Sequence, residues 1–306
     1  MTQPTALSTL IKNTVDYAGL FPPAALPMEQ VIENYGKYLR SANCNMLGRL
    51  IIPAAKLETT MIPDHSDSPW QISALLPPCV DGDPAALVAG IEQIKAFNLA
   101  HSKTANCAVV DAVEIKVPTT QSIRTTVELL TIPVNAFLEV SWDDPRELIA
   151  EIASTKNPNI FAKIRTGAVT PELIPSPDKV ARFIQSCAEH NLGFKATAGL
   201  HHPMRAQQNL TYEPDSPQAK MHGFLNVFVA AVIAFEHGKN TDSESTLTEI
   251  LSNEQADKFR FEDDQLSWGD LSVSTERVAK FRAKGIISFG SCSFTEPSNE
   301  LAELAY

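Results

Sequence analysis

Two lysines that interrupt mostly apolar stretches are the residues of this chain whose chemistry most needs explaining. They are Lys163 in Ile160-Phe161-Ala162-Lys163-Ile164-Arg165-Thr166-Gly167 and Lys195 in Leu192-Gly193-Phe194-Lys195-Ala196-Thr197-Ala198-Gly199, and each stretch ends at a glycine. A third stretch, Ile286-Ile287-Ser288-Phe289-Gly290-Ser291-Cys292-Ser293, ends in small polar groups. A buried ammonium is unfavourable unless it is paired or gives up its proton. Crowded cations lower one another's pKa, and desolvation acts in the same direction. Such a lysine is expected to be an uncharged nucleophile able to condense with a carbonyl as a Schiff base.

Side chains alternate along a strand, so Lys163 and Arg165 share a face, as do Lys195 and Thr197, and Glu114 and Lys116. The expected cluster holds Lys163, Lys195, Lys116, Arg165, Glu114, Glu139 and Asp16. A plainer reading of the same residues has the lysines ion-paired with Glu114 and Glu139, as in many polar barrel mouths.

Positioning them requires several strands that open onto one place. Strand-length apolar runs at 14–20, 46–52, 71–76, 112–117, 134–140, 160–164, 193–196 and 286–289 alternate with amphipathic segments at 28–39, 85–96, 123–130, 145–153, 177–190 and 275–282. That order predicts a (β/α)8 barrel, a TIM barrel, in which polar residues near the carboxyl ends of the strands face the site. A doubly wound sheet is the alternative, weakened by the lack of a G-x-G-x-x-G turn after the first strand. We read residues 1–306 as one domain, with an insertion at about 206–274 between the seventh and eighth strands. It carries a buried apolar helix at 224–235 and Trp268-Gly269, which would lie over the mouth as a lid or form a contact between copies. The turns Phe21-Pro22-Pro23 and Leu76-Pro77-Pro78 are rigid, and Asp143-Asp144 and Asp263-Asp264 read as caps or solvated loops.

With the strands in this order, the chain resembles deoxyribose-phosphate aldolase and its class I aldolase relatives. The matching segments are Lys163-Ile-Arg-Thr-Gly167, Lys195-Ala-Thr-Ala-Gly199 and Phe289-Gly-Ser-Cys-Ser293. Weaker similarities run through Val15-Asp16-Tyr17-Ala18-Gly19-Leu20, Ala112-Val113-Glu114-Ile115-Lys116-Val117 and Phe137-Leu138-Glu139-Val140. The resemblance covers most strands and little of the helices. It implies Lys163 as the imine-forming nucleophile and Lys195 as the neighbour that depresses its pKa. Gly290, Ser291, Ser293 and Gly199 would hold a phosphate or other oxyanion. In the family's fourth strand an aspartate helps move protons; Lys116 stands in that place here, which leaves proton transfer to Glu114 or Glu139. The loop after the seventh strand departs too, running through His201-His202 into the insertion, so the family's substrate does not transfer.

The expectation is a carbon–carbon lyase acting on a small carbonyl compound, with or without a phosphate, that needs no organic cofactor. Arg165, Thr197, His201 and His202 are further substrate-binding candidates. A metal-dependent hydrolase using His201 or His202, with Asp16, Glu114 or His222 completing the set, is the enzymatic rival, although no H-x-H or H-E-x-x-H spacing is present. A metabolite-binding barrel without turnover is the third. His222-Gly223 would offer a helix start to an anion, with capping or packing as the default. A net charge of −11 disfavours nucleic acid and anionic membranes as partners and leaves room for a small, anionic ligand in a local basic pocket. The opening Met-Thr-Gln-Pro-Thr lacks the features of a secretory signal, and the five scattered cysteines suit reduced thiols in a cytoplasm. Oligomeric state is left open, a homo-oligomer included.

Overall fold

The computed structural model describes residues 3–62, 69–79, 83–102, 108–238, 243–304 and 306; Cys107 and the first residues of the acidic stretch 240–249 fall outside them. The strands in chain order are β1 (Val15–Tyr17), β2 (Leu47–Pro53), β3 (Trp70–Leu75), β4 (Ala108–Lys116), β5 (Asn135–Glu139), β6 (Ile160–Arg165), β7 (Phe194–Thr197), β8 (Ala206–Asn209), β9 (Gln218–Met221), β10 (Phe259–Phe261), β11 (Gln265–Trp268), β12 (Leu271–Ser274) and β13 (Ile286–Ser291). Eight of them close into an all-parallel barrel in the order β1-β13-β7-β6-β5-β4-β3-β2, which is the expected (β/α)8 fold. Closure leaves no barrel edge unpaired.

The helices are α1 (Thr5–Ile11), α2 (Met28–Tyr38), α3 (Ala85–His101), α4 (Thr120–Leu129), α5 (Arg146–Ser154), α6 (Pro177–Glu189), α7 (Phe224–His237), α8 (Ser243–Ser252), α9 (Thr275–Lys284) and α10 (Thr295–Glu303). Their starts follow local chemistry. Thr119 Oγ1 accepts from Ser122 N and Ser122 Oγ accepts from Thr119 N, both at 3.0 Å, a capping box that starts α4. Pro177 supplies the preset φ of the first turn of α6. One crossover departs from the pattern: a 3-10 segment, Ala54–Thr59, follows β2, and no α-helix is described between β2 and β3.

Helix α7 is apolar all round because it is buried all round. Phe224 stacks on Phe289 of β13 at 5.1 Å, and α6 and α8 pack on its other sides. Its one internal amide is fully used: Asn226 Nδ2 donates to the carbonyls of Ile250 and Asn253 at 2.8 Å, and its Oδ1 accepts from Arg205 N at 2.9 Å. At the amino end of β13, Arg282 donates to the carbonyls of Ile286, Ile287 and Lys12 and lies over the Phe228 ring, tying β13 to the chain entering β1.

The insertion divides between the two ends of the barrel. Strands β10, β11 and β12 form an antiparallel sheet on α1, the helix that leads into the amino end of β1; Ala6 N donates to Glu262 O, and Thr5 donates to Asp263. Trp268 packs there on Phe259, with ring centroids 5.2 Å apart. It is therefore not a lid: the hydrophobic pairing that places its sheet draws it to the end opposite the mouth. The mouth is covered by the β8–β9 hairpin. Its glutamines and asparagine follow no apolar alternation, so the sequence did not mark them as strand.

Candidate active site

Five charged side chains form one chain of ion pairs across the barrel. Asp16 Oδ2 accepts from Lys195 Nζ at 2.5 Å, Lys195 Nζ reaches Glu114 Oε1 at 2.6 Å, Glu114 Oε2 lies 2.7 Å from Lys163 Nζ, and Lys163 Nζ lies 2.8 Å from Glu139 Oε2. Register explains the meeting: Glu139, Lys163 and Lys195 are successive partners on β5, β6 and β7, while Glu114 and Asp16 reach in from β4 and β1. Neutral groups complete the set. Ser73 Oγ donates to Glu114 Oε1 at 2.9 Å, Ser288 Oγ to Asp16 Oδ2 at 2.7 Å, and Arg49 N to Asp16 Oδ1 at 2.7 Å. Arg49 is itself fixed by a bidentate pair with Asp111.

The electrostatics differ from the crowded-cation expectation. Lys195 is fully buried and Lys163 is 3% exposed, yet Glu114 stands between the two ammonium groups. For Lys163, burial disfavours the charge, but attraction and hydrogen bonds from Glu114 and Glu139 outweigh it and hold the amine above the ordinary lysine range. Burial likewise opposes the charge of Glu114, and the two lysines override it, keeping the carboxyl far below the usual range. Glu139 is lowered in the same manner by Lys163 and, more weakly, by Arg165, whose Nε lies 3.9 Å from Glu139 Oε1. Each carboxylate thus stabilises the charge that crowding would have suppressed. Such a buried set adds little net stability, because desolvation consumes most of the Coulombic gain.

Lys116 stands apart. It is exposed at the end of β4 and has no ion-pair partner among the described residues. Its neighbour on the same face, Glu114, takes the central acid position instead.

A second group sits at the rim. His201 Nδ1 lies 3.1 Å from Ser291 Oγ and 3.3 Å from Glu296 Oε2, with Cys292 Sγ 3.9 Å away. Burial disfavours protonation of His201, but its hydrogen bonds to Cys292 and Glu296, with their charges, prevail and raise its pKa to about 9. His202 Nδ1 lies 2.8 Å from Glu300. Glu296 and Glu300 are four apart on α10, so one helix face holds both histidines. That i, i+4 pair just after the last barrel strand was a signal available in the sequence. Tyr212, between β8 and β9, reaches Cys292 with its hydroxyl at 3.9 Å from Sγ. A cavity of about 490 Å³ lies here, lined by Pro23, His201, His202, Glu296 and the hairpin. Its rim residues follow β1, β7 and β13, the strands that carry Asp16, Lys195 and Ser288.

The remaining candidates are placed as follows. Thr197 is paired in register with Arg165 and Gly290. Gly199 has φ +74° and packs against Gly167 so closely that a Cβ on Gly199 would lie 2.8 Å from the Gly167 Cα, locking the loops after β6 and β7 together. The expected oxyanion donors are partly engaged within the loop: Ser293 N donates to Ser291 Oγ, which also lies 3.1 Å from His201 Nδ1, and Ser293 Oγ accepts from Glu296 N. The carboxylate of Glu296 borders the same space. The metal set does not converge either: the His201 and His202 rings are 6.3 Å apart and aim at different carboxylates, and His222 bonds to the Pro175 carbonyl and Arg205. Among the described residues, no group of three His, Cys, Asp or Glu side chains is arranged to hold a metal ion.

Fold and site together define a closed parallel (β/α)8 barrel with a buried, alternating ion chain across its interior. No protein-family model, curated protein or solved structure matches the chain. The likeness to class I aldolases therefore rests on the strand-end residues alone. No helix among the described residues is long and apolar enough to cross a membrane.

Proposed function

We propose that the chain is a lyase of the class I aldolase kind, acting on a small carbonyl compound through an imine on Lys163. The observation that carries this is the setting of Lys163 Nζ, in the carboxyl-terminal half of a barrel strand and within 2.8 Å of two carboxylates. Carboxylates that stabilise an ammonium stabilise the iminium that replaces it equally well, so the charge balance of the buried chain survives the reaction. Lys163 passes a proton to Glu139, and the freed amine adds to the carbonyl carbon. A second amine proton shifts to the new alkoxide, and Glu139 returns the first as that hydroxyl leaves as water. The bond between the α and β carbons then breaks, its electron pair forming the C=C of an enamine as the C=N pair moves to nitrogen, while Glu139 takes the proton of the β-hydroxyl, which becomes the carbonyl of the departing fragment. Glu114 and Lys195 hold the opposing charges fixed throughout, and no cofactor is called for.

The four described cysteines are free thiols, which suits a reducing cytoplasm as the place of action. A second reading, a binding barrel without turnover, draws on the slight exposure of Lys163 and on its retained charge. The two part on enamine chemistry. In heavy water the lyase exchanges the α hydrogens of dihydroxyacetone or acetone, followed by proton NMR, and Lys163→Met abolishes the exchange. A wild-type protein that binds carbonyl compounds yet exchanges nothing would be the binding barrel.

A further inference from the structure

The cavity over the mouth has its own chemistry. No lysine or arginine lines it, and its walls are built from side-chain amides, hydroxyls, two histidines and Glu296. Gln218 Nε2 donates to Asn209 Oδ1 at 2.8 Å, which orients both amides. That leaves the Asn209 nitrogen and the Gln218 oxygen, a donor beside an acceptor, without other partners among the described residues. The side chains of Gln207 and Gln208 likewise make no hydrogen bond to the described protein. Glu296 offers a carboxylate acceptor whose charge is matched by His201 beside it. An alcohol group both donates and accepts, and such paired amides and carboxylates suit it. A phosphate only accepts at high charge; here it would meet Glu296, the His201 imidazolium in the lining is already paired with that carboxylate, and no guanidinium or ammonium is there to balance it.

We infer that this cavity binds the uncharged, polyhydroxylated part of the substrate, a free sugar or polyol chain, and excludes phosphorylated compounds. The inference names the substrate class for the imine site proposed above and rests on that reading for its chemistry. It departs from the expectation of an anionic ligand, because no lysine or arginine lines the cavity and the Glu296 carboxylate borders it.

The test uses alditols, which lack a carbonyl and so cannot form an imine; binding is thereby separated from the Lys163 chemistry. Ribitol, glucitol, ribitol 5-phosphate and glucitol 6-phosphate are titrated into the full chain and followed by NMR. At least one neutral alditol is expected to bind about tenfold or more tighter than its phosphate. Gln207→Ala and Asn209→Ala, both on the hairpin surface, weaken that binding roughly tenfold, as expected for one lost hydrogen bond to a well-placed group. Glu296→Gln narrows the gap between alditol and phosphate. Phosphates binding as tightly as the alditols, absence of alditol binding, or affinity unmoved by the hairpin variants would each overturn the inference. None of these outcomes bears on whether Lys163 forms an imine with a small ketone.

Discussion

Glu114 touches both ammonium groups and so sets the state of the whole ion chain. Truncating it leaves two buried cations facing one another, and Glu114→Ala should lose about 3–5 kcal/mol of stability in a denaturant titration. A variant that unfolds at the wild-type midpoint would show that the ion chain is not formed in solution. The sign of the Lys163 shift also makes a kinetic prediction. Because its proton affinity is raised, the free amine is scarce at neutral pH and grows about tenfold per pH unit. Capture of a small aldehyde on Lys163 should therefore still be accelerating above pH 9. A plateau below pH 8 would mean that the carboxylates do not hold the proton. In the sequence, Lys163 and Lys195 were legible because each breaks a strand-length apolar run. Their pairing with Glu114 and Glu139 was the plainer reading, and it is what the structure shows; that Glu114 and not Lys116 lies deeper was not legible, because alternation puts both on one face. Ser73 and Ser288, small residues in apolar runs, gave no signal of their own.

At the scale of elements, the β8–β9 hairpin decides access to the rim. Its Tyr212 leans on Cys292, which is buried, while Cys44 is exposed. Tyr212→Ala should expose Cys292 to alkylation by iodoacetamide at a rate several times that of wild type, with Cys79 and Cys187 still protected, as read by peptide mass spectrometry. Unchanged protection of Cys292 would place the hairpin's hold elsewhere. Barrel strands were legible because β-branched and aromatic runs alternate with amphipathic helices, and the all-parallel order follows from those crossovers. The hairpin was not, since Ala206–Asn209 and Gln218–Met221 pair through backbone bonds on an exposed surface and need no apolar face. The Trp268 sheet misled for the opposite reason: its apolar residues mark burial, and they find it against α1, α7 and α9.

For the molecule as a whole, two buried histidines pull stability in opposite directions. His201, raised to about 9, contributes stability that is complete below 6.5 and disappears as pH climbs through 9. His222 is kept neutral: burial lowers its pKa to about 4, with Arg205 adding to that and the Pro175 hydrogen bond opposing it. Its contribution is complete above 6.5 and disappears as pH falls through 4. Thermal stability should therefore peak near pH 6.5, with His201→Asn flattening the alkaline limb and His222→Gln the acid limb. A midpoint that rises steadily from pH 6.5 to 9 would contradict the His201–Glu296 pairing.

The central claim is that one buried lysine of this barrel does covalent chemistry, and borohydride trapping tests it most directly. The protein is reduced in the presence of small aldehydes, ketones, free sugars and sugar phosphates, and the adducts are located by peptide mass spectrometry. We expect a stable adduct confined to Lys163, absent from Lys163→Met, with Lys195 unlabelled in both. No adduct, or labelling spread evenly over surface lysines such as Lys116, would contradict the imine and leave the ion chain as a structural element of a binding barrel.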